Sequence, residues 1–190
     1  MTESMRSNKM ISLLAFFFLF AVTACDDDDT DDLPNPDMGV ATIKITGDVE
    51  LEFESYSIFG QDTDPDTGLD IFFISNVTDE DQPGDMLLAT SGTQPDTGSF
   101  PIVFMNFEDG FPEDAFVSSV SYQMEDGEET QTYMFQSEQG TVTFDESGSS
   151  KVSGSFEFSA TGMLIPGGEM DLEVEITGTF DAIPGYLNGN

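Results

Sequence analysis

Histidine and tryptophan are absent from the 190 residues, cysteine occurs once, and only four side chains are basic. Each absence removes a class of function. Without histidine there is no Ser-His-Asp triad and no Cys/His zinc site. A single cysteine, Cys25, makes an intrachain disulfide impossible, so an exported domain must be stabilised by its core alone. Against the four basic residues stand 38 Asp and Glu, a net charge of −34. Nucleic acid, which is bound through Lys and Arg that displace counterions, is excluded as a partner. An anionic lipid surface repels the domain as well, so membrane contact has to come from an anchor.

So much charge of one sign opposes compaction unless ions screen it. The acids run along the whole chain and lysine is nearly missing. Both features fit a protein of a high-salt environment better than one built to bind divalent cations.

What the chain does have begins with an apolar run, Met10 to Ala24, that carries no charge and follows a polar, slightly basic start. It is too short for a membrane-spanning helix, which needs about 20 residues, and fits the apolar centre of a signal peptide over residues 1–24. Val22-Thr23-Ala24-Cys25 closes the run, and Asp26 to Asp29 follow it. This arrangement resembles the lipobox of bacterial lipoproteins. The resemblance implies cleavage after Ala24 and lipidation of Cys25, with acylated Cys25 as the membrane partner. Two or more acyl chains make such an anchor stable, at about 0.8 kcal/mol per buried CH₂.

Residues 25–39 read as the lipidated cysteine and an acidic tether. Seven of the fourteen residues Asp26 to Gly39 are Asp and two are Pro, so the segment cannot bury apolar surface and its charges keep it extended. Its reach is on the order of 45 Å. Acids directly after the cysteine resemble the export signal of Bacteroidota-type lipoproteins, which implies an outer-membrane, outward-facing location.

From Val40 to Asn190 the pattern is that of one all-β domain. Val49, Leu51 and Phe53 alternate with Glu50, Glu52 and Glu54, a half-buried strand. The phase then slips to Tyr56 and Ile58, which predicts a β-bulge near Ser55. Leu69 to Ile74 is nearly all apolar and predicts a strand covered on both faces. Pro101, inside a candidate strand from Phe100 to Phe107, predicts a sheet edge. Phe116, Val120 and Tyr122 share a face, and Asp126-Gly127 marks a hairpin with a loop of more than two residues. Gln131 to Gln136, Val142 to Phe144, Val152 to Phe158 and Leu172 to Phe180 follow, with a turn at Pro166-Gly167-Gly168. About nine to ten short strands and no helical period imply an antiparallel β-sandwich or partly open barrel. Gly140 to Phe144, Gly154 to Phe158 and Gly178 to Phe180 each run from glycine into a strand. These pieces resemble small Bacteroidota lipoproteins, which implies a β-rich extracytoplasmic domain and no known site residues.

No motif amounts to a catalytic constellation, so no enzyme and no cofactor are expected. Asp62, Asp64 and Asp66 alternate before Gly68 and Asp70, as calcium ligands would. However, glycine falls seventh rather than sixth, and Phe73 replaces the bidentate Glu. Pro65-Asp-Thr-Gly68 recurs as Pro95-Asp-Thr-Gly98 without the Asp pair, so a plain turn accounts for both copies. Glu50, Glu52 and Glu54 are the obvious carboxylates for a hydrolase, yet they occupy the expected solvent face. Asn76-Val77-Thr78 matches a glycosylation sequon and reads as strand-end chemistry.

The expected function is a lipid-anchored envelope domain with a non-enzymatic accessory, binding or structural role toward a protein or glycan. The alternatives are a lipocalin-like carrier of a small apolar ligand and, less favoured, a carboxylate hydrolase.

The charge predicts that the thermal midpoint climbs as sodium chloride rises from about 0.1 to about 1 M, where the Debye length falls from about 10 to about 3 Å. Scanning calorimetry checks this. Calcium at matched ionic strength adds nothing further if Asp62, Asp64 and Asp66 form only a turn.

Overall fold

The computed structural model describes residues 39–63, 68–78, 84–105, 110–126, 129–165 and 171–185. Residues 1–24, Cys25, the acidic tether up to residue 38, Asp64, Asp66 and Pro166 to Gly168 lie outside them. Nine strands make up the fold: β1 Gly39–Gly47, β2 Leu51–Thr63, β3 Asp70–Val77, β4 Gly84–Ser91, β5 Gly98–Val103, β6 Val117–Asp126, β7 Glu129–Ser147, β8 Val152–Ile165 and β9 Leu172–Pro184. There is no helix among the described residues.

Strand order is β5-β7-β6-β4-β3-β2-β1-β9-β8, and β8 pairs back onto β7. Eight antiparallel strands thus close into a barrel, with β5 as the extra strand. The fold is all-β and a barrel, not a sandwich. Full closure removes the exposed edges that an open sheet of this length would leave. The extra strand follows from unequal lengths. β7 has 19 residues, and β6 covers one of its edges only to Gln136. β5 takes over that edge from Gln139 to Phe144. Pro101, which has no N–H to donate, lies in this added strand, as the sequence predicts. The second edge of β5 is used only locally, where the N–H of Val103 donates to the Phe116 carbonyl at 2.8 Å and the N–H of Phe116 donates to the Pro101 carbonyl at 2.8 Å.

Alternation along each strand sends one set of side chains into the lumen. Ala41, Ile43 and Ile45 line it from β1, Phe72 and Ile74 from β3, Met86 and Leu88 from β4, all buried. Rings fill one half of it. Phe72 on β3 meets Phe144 on β7 at 6.3 Å between centroids, across three strand intervals, and Phe144 meets Phe180 on β9 at 5.6 Å. Phe116 and Phe100 join the same cluster, 5.5 and 5.8 Å from Phe144.

The rings fit because glycines stand opposite them. Phe180 pairs with Gly154, and Phe156 with Gly178, between β8 and β9. Phe135 pairs with Gly162, and Phe158 with Gly140, between β7 and β8. A Cβ at Gly178 would run into the Thr42 carbonyl and the Phe156 ring, and one at Gly162 into the Phe135 ring. The glycine-to-strand pattern in the sequence is therefore a pattern of cross-strand Phe–Gly pairs.

Three local expectations differ from the structure. No bulge occurs near Ser55; β2 runs in unbroken register against both neighbours, Ser55 and Ser57 point inward, and Tyr56 and Ile58 are half-buried on the outer face. The register shifts instead at two places in β7, at Glu138, where Ser137 pairs with Ala160 but Gln139 pairs with Ser159, and at Asp145. One strand therefore runs through Ser137 to Gly140 and joins Gln131 to Gln136 with Val142 to Phe144, which the sequence pattern predicts as separate strands. The β6–β7 ladder continues out to Asp126↔Glu129, so only two residues connect the strands.

Leu69 is exposed, but Phe72, Phe73 and Ile74 are buried on both faces of β3, as predicted for a doubly covered strand. All buried hydrophobics lie between Ala41 and Ala182. The compact unit Asn35–Tyr186 therefore contains the whole core of the described residues.

Replacing Gly178 with Ala is expected to cost about 1–3 kcal/mol by overpacking, read as a lower urea midpoint at unchanged slope. Ser155→Ala, on the outer face of the adjacent strand, is expected to stay within about 0.5 kcal/mol.

Candidate functional site

The inward face of β2 reads Phe53, Ser55, Ser57, Phe59. Two hydroxyls thus interrupt an apolar wall, bracketed by rings. Asn76 stands directly opposite Ser57 on β3. On the other side, β1 places Gly39 opposite Ser57 and Ala41 opposite Ser55. The wall is shallow here because these side chains are small. Ser57 and Asn76 are 0% exposed and Ser55 is 6%.

Among the described residues, Ser55 Oγ, Ser57 Oγ, both polar atoms of the Asn76 amide and Ser118 Oγ are buried without a hydrogen-bond partner. An orphaned buried polar group costs about 1–3 kcal/mol. Five such atoms amount to much of a domain's net stability, which is about 5–15 kcal/mol. Other buried hydroxyls do not share this state. Ser137 Oγ donates to the Val103 carbonyl at 2.8 Å and accepts from the N–H of Ser118 at 3.0 Å, tying β5, β6 and β7 together. Ser55, Ser57 and Asn76 thus form a contiguous buried polar patch whose hydrogen-bonding atoms have no partner among the described residues.

Among the described residues no positive charge faces the lumen. Lys44 and Lys151, the only cations after residue 24, point outward and pair with Glu52 at 3.9 Å and Asp181 at 2.7 Å. The Lys151 ammonium is held above its ordinary value mainly by its hydrogen bond to Asp181.

The sequence-predicted sites fall elsewhere. Glu50, Glu52 and Glu54 are all exposed. Asp62 Oδ1 accepts from the N–H of Thr63 at 2.8 Å, and the Thr63 hydroxyl donates to Asp70 Oδ1 at 2.8 Å. These are turn contacts, and no cluster of three metal-ligating acids exists among the described residues. Asn76 is not strand-end chemistry, since it points into the barrel. Thr78 has that role, its Oγ1 accepting from the N–H of Gly84 at 2.8 Å. The signal that identifies Asn76 is its phase, two residues on from Ile74 and four from Phe72.

A concavity of about 630 Å³ lies open on the outer face between Thr46, Glu138, Ser159, Thr161, Glu173 and Glu175. Thr161 Oγ1 donates to Glu138 Oε1 at 2.8 Å there. It is a solvated acidic groove.

On the outer face of β4 the exposed Asp85 pairs with Val77 and Ser121 in the ladder. Desolvation raises its carboxyl above the ordinary 3.8, offset in part by a backbone hydrogen bond at Thr78.

Fold and site together define a closed antiparallel β-barrel whose largely apolar inner wall carries buried polar side chains, Ser55, Ser57, Asn76 and Ser118 among them. Compared with family models, curated proteins and solved structures, the chain matches none.

Asp85 yields a signed prediction. A carboxyl raised in the folded state stabilises fully below its unfolded value and loses that contribution as pH rises through the folded value. Asp85→Asn is therefore expected to raise the urea midpoint at pH 7, with the gain vanishing as pH falls below the usual carboxylate range.

Proposed function

We propose that the chain is a lipid-anchored, non-enzymatic barrel displayed on the outer membrane, held through acylated Cys25 and serving as a binding or structural module of the envelope. The observation that carries this reading is the position of the barrel's ends. β1 begins at Gly39 beside Ser57 and Asp181, and β9 ends at Pro184 beside Phe59. Both ends lie at one rim, so an acidic tether from Cys25 joins there. The opposite rim, with the β1–β2, β3–β4, β6–β7 and β8–β9 connections, then faces away from the membrane.

The dense outer charge suits such display. Exposed acids on β2, β8 and β9 repel an anionic bilayer and keep the barrel at tether length. Their exposure also favours the non-enzymatic reading over a carboxylate hydrolase, which needs acids sheltered at a fixed separation.

A second reading has its own support. A closed barrel with unsatisfied polar groups on its inner wall suits a carrier of a small, mainly apolar molecule.

Native protein is expected to start at Cys25 with an intact mass raised by acyl chains, and Cys25→Ser is expected to move it from the membrane to the soluble fraction. A native mass starting at Met1, or an unmodified thiol, overturns the reading.

A further inference from the structure

We propose that Ser55, Ser57 and Asn76 form an internal subsite for the uncharged oxygen-bearing head of an apolar molecule, a site occupied by water when the guest is away. The inference rests on the carrier reading and adds to it the chemistry of the head and the residues that hold it.

Contiguity comes first. Asn76 and Ser57 are cross-strand partners, and Ser55 follows two residues along the same face. Directly opposed side chains in a ladder lie about 5 Å apart, and i, i+2 neighbours about 7 Å. One small polar group placed among them can reach all three.

The donor and acceptor inventory sets the class of that group. An Asn amide donates through Nδ2 and accepts through Oδ1, and each serine hydroxyl does both. All four atoms are unpartnered. A hydroxyl, amide or ester oxygen complements such a set. A carboxylate or phosphate does not, because among the described residues no cation reaches the lumen and the chain's net charge is −34. Bringing an anion there would leave its charge buried and unpaired.

The surroundings set the rest of the guest. Ile74 and Met86 flank Asn76 along β3 and across on β4, and Phe53 and Phe59 bracket the serines. These surfaces accept hydrocarbon. Water also satisfies the three side chains, which is why the empty site is stable. An alcohol reproduces the water's hydrogen bonds as it displaces it, whereas an alkane leaves the polar wall bare.

Octanol, octane and octanoate share a chain and differ in their heads. They are to be titrated into the nitrogen-labelled full chain, following the Asn76 side-chain amide by NMR. Octanol is expected to bind saturably and shift that amide, with octane about tenfold weaker and octanoate excluded. Ser57→Ala and Asn76→Leu are each expected to erase the octanol-over-octane preference; Ser57→Ala removes a single buried oxygen and keeps the test open should Asn76→Leu fail to fold. The assignment is overturned if octanol leaves the Asn76 amide unmoved, as it does when the groups hold water alone, or if the preference survives Ser57→Ala in a folded protein. Equal binding of octanol and octane, indifferent to both variants, sinks the head-group subsite while leaving the carrier reading standing. If none of the three binds, both fall.

Discussion

Rings pressed against glycines govern how this barrel closes. A small barrel must fill its lumen with side chains, and this chain does so largely with phenylalanine. A phenyl ring facing an ordinary residue across a strand pair would hold the two strands apart. Facing Gly154, Gly162 and Gly178, the rings of Phe180, Phe135 and Phe156 lie down on the neighbouring backbone instead. The space left by the missing Cβ takes up the ring edge, so the β7–β8–β9 wall stays tight while the lumen receives a bulky group. Closure follows, and with it the loss of open edges on eight of the nine strands.

The same economy separates charge from core. Outward positions on β1, β2, β8 and β9 carry Lys44, Glu52, Glu54, Glu157, Glu173, Glu175 and Asp181, whereas the inner face carries no ionised group among the described residues. Repulsion is thus borne by solvent-exposed side chains, where salt weakens it. Packing is left to an interior with no ionic desolvation to overcome. Against that background the hydroxyls and amide near Ser57 stand out, because nothing in the packing asks for them. Alanine and leucine would fill the same volume without an orphaned polar group.

Much of the fold was legible in the sequence because strand alternation is a direct record of which face is wet. Leu172 to Phe180 reads inward and outward without ambiguity, as do Val49 to Phe53. The site was not legible, for a related reason. Reading by hydropathy assigns polar residues to solvent, so Ser55 and Ser57 appeared as a slip in phase and invited a bulge that β2 does not have. Asn76, in step with Phe72 and Ile74, was discounted for the same cause. Ser137 to Gly140 misled in the opposite sense. Small and polar residues separated Gln131 to Gln136 from Val142 to Phe144, while in the structure Glu138 is one bulged residue and Gly140 makes room for Phe158. Closure itself leaves no local trace, since the β7–β8 and β1–β9 pairings are decided by partners far apart in the chain.

The ring cluster and the polar wall also divide the lumen along its axis. Phe72, Phe100, Phe116, Phe144 and Phe180 meet one another across the half that carries β5, close to the rim where β1 begins and β9 ends. A path to Ser57 and Asn76 through that half would have to part several mutually packed rings. The other rim is more loosely closed: Tyr122 and Tyr133 are only half-buried, and Phe53 contacts Tyr122 at 6.0 Å between centroids. Rotating one ring costs far less than breaking a cluster of five. A path to the polar wall that spares the ring cluster therefore runs through the rim opposite the chain ends.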